Sequence, residues 1–158
     1  MEQLKVYIDR LKGGDKQKIS CTLAPSVLDV QEEELTFPED VQVTGEIYLA
    51  DDHLIGHLNA KTTALMPCAM CNSITKVLIH IKDEYITVPL AEVRSAIYDL
   101  TPDIREMLLL QVPQFVECHE GKCPERETLK NYLAKPGLEN TQSQSQPVHF
   151  PFADLDKK

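Results

Sequence analysis

Apolar and polar residues alternate over much of the first half of the chain. Leu4, Val6 and Ile8 alternate with Lys5, Tyr7 and Asp9, the two-residue period of a half-buried strand. Lys12-Gly13-Gly14-Asp15 predicts a turn, and Lys18 to Leu23 a returning strand. Pro25 to Val30 is short, starts on proline and predicts one helical turn. Val41, Val43, Gly45, Ile47 and Leu49 fall on one face of a longer strand, which turns at Ala50-Asp51-Asp52-His53. Leu54 to Met66 keeps the alternation, with Leu54, Gly56, Leu58, Ala60, Thr62 and Ala64 on one side. That side is weakly apolar and predicts a partly exposed face. Beyond Cys68, Thr75 to Val88 sets Val77, Ile79 and Ile81 against Lys76, Leu78 and His80. Three consecutive strands joined by tight turns predict an antiparallel meander.

The period then changes. Glu92 to Leu100 reads as one more strand. Thr101-Pro102-Asp103 has the composition of a helix start, with Thr as cap, Pro in the first position and Asp in the first turn. Ile104, Met107, Leu108 and Gln111 follow at helical spacing, and the helix must stop before Pro113. Its Ile104 and Leu108 face is expected to cover the sheet, with Arg105 and Glu106 pointing elsewhere. Pro124 to Ala134 predicts a second short helix, with Leu129, Tyr132 and Leu133 on one side, ended by Lys135-Pro136-Gly137. The class is α+β, a mainly antiparallel meander with two or three short helices. A single domain over 1–137 would precede a polar linker over 138–147, which contains Gln-Ser-Gln-Ser-Gln. Residues 148–158 restore apolar character through Phe150, Phe152 and Leu155, as expected of a segment that docks on a surface rather than building a core.

Charge narrows the function classes. Sixteen basic against 25 acidic residues give a net charge of −9. An acidic surface repels bare phosphate, which opposes broad charge-driven nucleic-acid binding and leaves room for a narrow RNA contact. The nine Phe and Tyr do not interleave with a basic stripe, so the sequence displays no stacking surface. The start of the chain lacks the apolar core of a secretory leader, and no run approaches the ~18 apolar residues of a membrane helix. We expect a cytoplasmic protein with no membrane partner. A phosphate-binding glycine loop, a nucleophile elbow and a helical pair of histidines are all missing, so no catalytic constellation or small-molecule site stands out outside the cysteines. Glu32-Glu33-Glu34 reads as a solvated run. His53, His57 and His80 read as solvent-facing or hydrogen-bonded, and Cys21 as a small buried apolar strand residue.

The remaining chemistry lies in four cysteines. Cys68 and Cys71 are separated by two residues in a turn between strands, the common half of a tetrahedral zinc site. Cys118 and Cys123 are separated by four, with Gly121 between them to relax the backbone. Without a secretory leader the expected state is a reduced thiol or a metal thiolate rather than a disulfide. Four thiolates would close the coordination sphere of a structural zinc and leave no position for a reacting water. The other reading is that one or both pairs are ordinary half-buried thiols.

Several segments together resemble one family, the YceD-like proteins, described as large ribosomal RNA subunit accumulation proteins. They are the Cys68-Ala69-Met70-Cys71 turn, the run Asp99-Leu100-Thr101-Pro102-Asp103-Ile104-Arg105-Glu106 leading to Val112-Pro113, and Cys118 with Gly121-Lys122-Cys123-Pro124. The closing Phe150-Pro151-Phe152-Ala153-Asp154-Leu155 is similar to the family's ending. The chain departs from the family after Pro124, where many members carry a further cysteine and this one has Glu125, Arg126 and Glu127. The resemblance implies a non-enzymatic ribosome-biogenesis factor that supports synthesis, processing or stability of large-subunit ribosomal RNA. Its partner would be a ribosome assembly protein or the large-subunit ribosomal RNA precursor, met indirectly or through a narrow contact. The alternative is a small zinc-ribbon-like redox or hydrolytic enzyme using the Cys68/Cys71 pair.

Overall fold

In a computed structural model of the chain, residues 4–133 are described. The elements are β1 (Lys5–Tyr7), α1 (Ile8–Leu11), β2 (Gln17–Leu23), a 3-10 turn (Pro25–Leu28), β3 (Val41–Ala50), β4 (His53–Pro67) and β5 (Ile74–Pro89). After a second 3-10 turn (Leu90–Glu92) come β6 (Ile97–Asp99), α2 (Thr101–Leu110), α3 (Cys118–Gly121) and α4 (Glu125–Leu133). A division of the chain falls between Cys123 and Pro124. Of the second part only α4 is regular within the described residues, and both Leu129 and Tyr132 are exposed on it. The expected boundary at 137, the linker 138–147 and the docking segment 148–158 lie outside the described residues.

The expected α+β class and antiparallel meander are what the structure contains. Strands β2, β3, β4 and β5 are neighbours in that order, all antiparallel. One face of this sheet is apolar and carries Ile19, Leu23, Val41, Val43, Ile47, Leu54, Leu58, Ala60, Ala64, Ile79 and Ile81. The side of β4 with the smallest apolar residues is more buried than its composition suggests, because α2 lays Ile104 and Leu108 over the same core. Small side chains on a strand leave room for large ones from a helix.

Three local expectations are corrected. Leu4, Val6 and Ile8 are all buried, but only Lys5–Tyr7 is strand, because Ile8 opens α1. Strand β1 pairs with β6 rather than with β2, so the returning strand joins the main sheet through β3. Thr101 is the first residue of α2, and Leu100 is its cap residue with no side-chain cap bond. The carboxylate of Asp99 accepts the Thr101 N–H at 2.9 Å, the service a capping side chain would otherwise perform.

Arg105 does not simply point to solvent. Its Nε donates to the Leu28 carbonyl at 2.7 Å and fastens α2 to the 3-10 turn that ends at left-handed Asp29. Near the start of the helix, the Tyr98 hydroxyl donates to Asp103 at 2.9 Å. Burial, followed by that bond and by the nearby carboxylates, raises the Tyr98 hydroxyl to about 12. A folded-state pKa above the unfolded value of ~10 contributes stability that is complete below pH ~10 and lost as pH rises towards ~12. A phenolate-absorbance titration should show one tyrosine ionising near pH 12, and Tyr98→Phe should remove that step. Its persistence in the variant would show that the hydroxyl does not belong to Tyr98.

No helix among the described residues is long and apolar enough to cross a membrane.

Candidate metal centre

The end of β4 delivers the first two cysteines. After Pro67 the chain reverses over Cys68–Ser73, with the Asn72 N–H donating to the Cys68 carbonyl at 2.9 Å and the Cys68 N–H to the Ser73 carbonyl at 2.8 Å. Asn72 has φ 58°, left-handed backbone that asparagine tolerates better than most residues. The turn is therefore closed by its own backbone, and it holds Cys68 and Cys71 close enough to share an ion.

The second pair is brought in by pairing, not by sequence proximity. Cys68 forms a parallel bridge with Val116, and the Ala69 N–H donates to the Val116 carbonyl at 2.8 Å. Two residues later the Cys118 N–H donates to the Cys68 Sγ at 3.3 Å. The chain then curls back through left-handed His119, Glu120 and Gly121, the last at φ 86°. The Glu117 carboxylate accepts the Cys123 N–H at 3.0 Å and fixes the return. Among the described residues, three of the six left-handed non-glycine residues lie in these two cysteine segments. Such backbone costs free energy and persists where the surroundings demand it.

The result is a cluster in which the sulfurs of Cys68, Cys71, Cys118 and Cys123 all lie within 4.8 Å of one another. A tetrahedral ion with Zn–S bonds of ~2.3 Å holds its sulfurs about 3.8 Å apart. Cys71 and Cys118 are separated by 3.7 Å. Cys68, Cys118 and Cys123 are buried and Cys71 is half-buried, with Met70 packed against them. The four form a small cluster of their own, apart from the main core. All five cysteines are free thiols, so no disulfide competes for these sulfurs.

The donor set fits a thiophilic ion. Met70 and Cys118 N–H groups donate to the Cys68 Sγ, and the Ser73 hydroxyl sits 2.9 Å from the Cys71 Sγ. His119 Nδ1 lies 3.2 Å from the Cys118 Sγ. Such outer contacts orient thiolates and spread their charge. Burial opposes the Cys68 thiolate, but N–H donation from Cys118, Cys71 and Met70 outweighs it and brings that thiol down to about 6. Ser73 likewise lowers Cys71, through its side chain and its backbone. Burial pushes Cys118 up to about 12, with its neighbouring thiols adding to the rise.

All four cysteines expected from the sequence therefore meet. Ser73, His119 and Glu117 escape sequence reasoning, and their only signal there is adjacency to a ligand. Cys21 lies outside the cluster, half-buried against the main core, where burial raises its thiol. Glu32, Glu33 and Glu34 are all exposed on the surface. His53 and His80 are exposed, while His57 stacks on Tyr85 at 4.5 Å and reaches Asp83 at 3.3 Å. None of the three histidines joins the cysteines. In comparisons with known proteins, no family model, no curated protein and no solved structure matches the chain.

Proposed function

We propose that this chain is a non-enzymatic binding module of ribosome assembly, acting in the cytoplasm on the synthesis, processing or stability of large-subunit ribosomal RNA. Its cysteines hold one structural zinc ion. The observation that carries the reading is the meeting of two distant segments, Cys68–Cys71 and Cys118–Cys123, at one four-sulfur centre. These are two of the segments in which the chain resembles the YceD-like proteins, and their convergence supports reading them as one feature.

The four-sulfur set also weighs against the enzymatic alternative. A catalytic zinc keeps one position for water, and a dithiol redox site uses two sulfurs and not four. Here every sulfur has three sulfur neighbours. The zinc ties the β4–β5 turn to the segment that follows α2, and so holds a surface rather than performing a reaction.

Depletion of the protein in its native host, with large-subunit and small-subunit ribosomal RNA quantified separately, tests the function. The expected result is a fall in large-subunit RNA relative to small-subunit RNA. An unchanged ratio would remove the ribosomal reading while leaving the metal centre intact.

A further inference from the structure

Folding assembles a surface that the linear sequence does not display. The face of the four-stranded sheet opposite the core gathers Lys18 from β2, Gln42, Thr44, Glu46 and Tyr48 from β3, and His57, Asn59 and Lys61 from β4; β5 adds Lys76, His80 and Tyr85. Register places them together: Lys18 lies opposite Glu46, Glu46 opposite His57 and His57 opposite Tyr85. Thr44 lies opposite Asn59 in the next row, and in the row after that Gln42 lies opposite Lys61 and Lys61 opposite His80.

Charge on this face is unlike that of the chain. Three carboxylates at this face have partners: Lys16 lies 2.8 Å from Glu46, Lys76 lies 2.8 Å from Glu39, and the His57 ring nitrogen lies 3.3 Å from Asp83. Glu39 is further held by the Thr63 hydroxyl at 2.7 Å. Lys18 and Lys61 remain exposed without a salt bridge among the described residues. Among the residues named, the four lysines Lys16, Lys18, Lys61 and Lys76 stand against the three carboxylates Glu39, Glu46 and Asp83, a local balance unlike the −9 of the chain.

Rings and hydrogen-bonding groups sit among these cations. Tyr85 is 62% exposed, stacked on His57 at an interplanar angle of 13°, and therefore offers its other ring face to solvent. Tyr48 carries Lys16 over its ring at 5.0 Å. Beside them lies a shallow depression of about 220 Å³ lined by Gln42, Thr44, Asn59, Lys61 and His80. Asn59 accepts the N–H of left-handed Asp83 with its carbonyl oxygen, at 3.0 Å, which leaves its amide hydrogens to donate outwards.

We propose that this sheet face binds single-stranded RNA. Lys18 and Lys61 meet phosphate, the exposed face of Tyr85 takes a base by stacking, and Gln42, Thr44, Asn59 and His80 meet base edges and 2′-hydroxyls. An acidic protein partner is disfavoured by the ring stack and amides, which match bases better than carboxylates. The small number of free cations predicts a weak, salt-sensitive contact confined to a few nucleotides, with the acidic remainder of the chain repelling bare duplex. This inference deepens the ribosomal reading by giving the RNA contact to this chain and relies on that reading only for which RNA is met.

The test is fluorescence anisotropy of the full chain with a labelled mixed-sequence single-stranded RNA of about 12 nucleotides, at about 50 mM and about 200 mM salt. Tyr85→Ala is expected to weaken binding by roughly 5- to 100-fold, and Tyr85→Phe to preserve it. Lys18→Glu with Lys61→Glu should weaken it and flatten the log–log salt slope by at least ~1.4, about 0.7 for each phosphate no longer neutralised. Lys130→Glu, with the same charge change per site on α4, should leave it close to wild type. All these positions are exposed, and unchanged melting temperatures will show that the variants fold. The proposal is overturned by no binding at the lower salt, by equal binding of a DNA of the same sequence, or by equal weakening in Lys130→Glu. If RNA binding fails while depletion still lowers large-subunit RNA, the chain meets a protein and the ribosomal reading alone stands.

Discussion

Purified under reducing conditions, the protein should carry about one zinc ion per chain, and removing it should lower the melting temperature by about 10 °C or more. The four sulfurs already lie within 4.8 Å of one another, with Cys71 and Cys118 at 3.7 Å, close to the spacing in a tetrahedral site. Without an ion, they would have to coexist as crowded thiols and a thiolate, around backbone held left-handed at Asn72, His119 and Glu120. Structural zinc binding contributes directly to folding free energy, on the order of 10 kcal/mol or more in isolated zinc-finger peptides. Here the main core is a separate cluster, so only part of that energy should appear as global stability. A loss of several kcal/mol corresponds to a shift of about 10 °C or more in a domain of this size. Cys68→Ser should show the same shift and abolish the metal, because Cys68 accepts two backbone N–H bonds as well as being a ligand. Cys21→Ser should retain the zinc. Affinity should fall as pH falls, since protons compete for the thiolates. Metal analysis that finds no zinc, or a melting temperature indifferent to chelator, would return the cluster to the status of buried thiols.

Gly45→Ala should destabilise the protein by about 3 kcal/mol, read as a shift of the urea midpoint. Gly45 lies in β3 opposite Leu58 of β4, just where the β4–β5 register slips between Leu58 and Ala60. A methyl group there would strike the His57 carbonyl oxygen and stand 2.8 Å from the Leu58 Cδ2. Overpacking costs ~1–3 kcal/mol, and the obstacle here is backbone in the middle of a sheet, which places the cost at the upper end. Gly56→Ala is the control, because its nearest neighbour is the Ile47 Cδ1 at 3.4 Å and the flexible tip can yield. That variant should stay within ~1 kcal/mol of wild type. Equal effects at the two glycines would show that strand propensity, not space, governs both.

The linear pattern of residues determined the class of fold and the identity of the candidate ligands. Val41 to Val88 alternates with a period of two because one sheet face is buried and the other wet, and that period survives in the side chains whatever the strands pair with. The Cys68–Cys71 turn was legible for the same local reason. Pairing was decided only in three dimensions. Nothing near Lys5–Tyr7 announces that its partner is Ile97–Asp99, because a strand edge offers the same N–H and C=O groups to any comer. Nor does the spacing of Cys118 and Cys123 say that a bridge from Val116 to Cys68 will carry them to the first pair. The opposite sheet face was the least legible of all. Tyr85, His57, Lys61 and Lys18 lie on three strands, and only register makes them neighbours. A contact between residues far apart in the chain leaves no period behind, so such contacts belong to the tertiary structure and not to the local pattern that writes the strands.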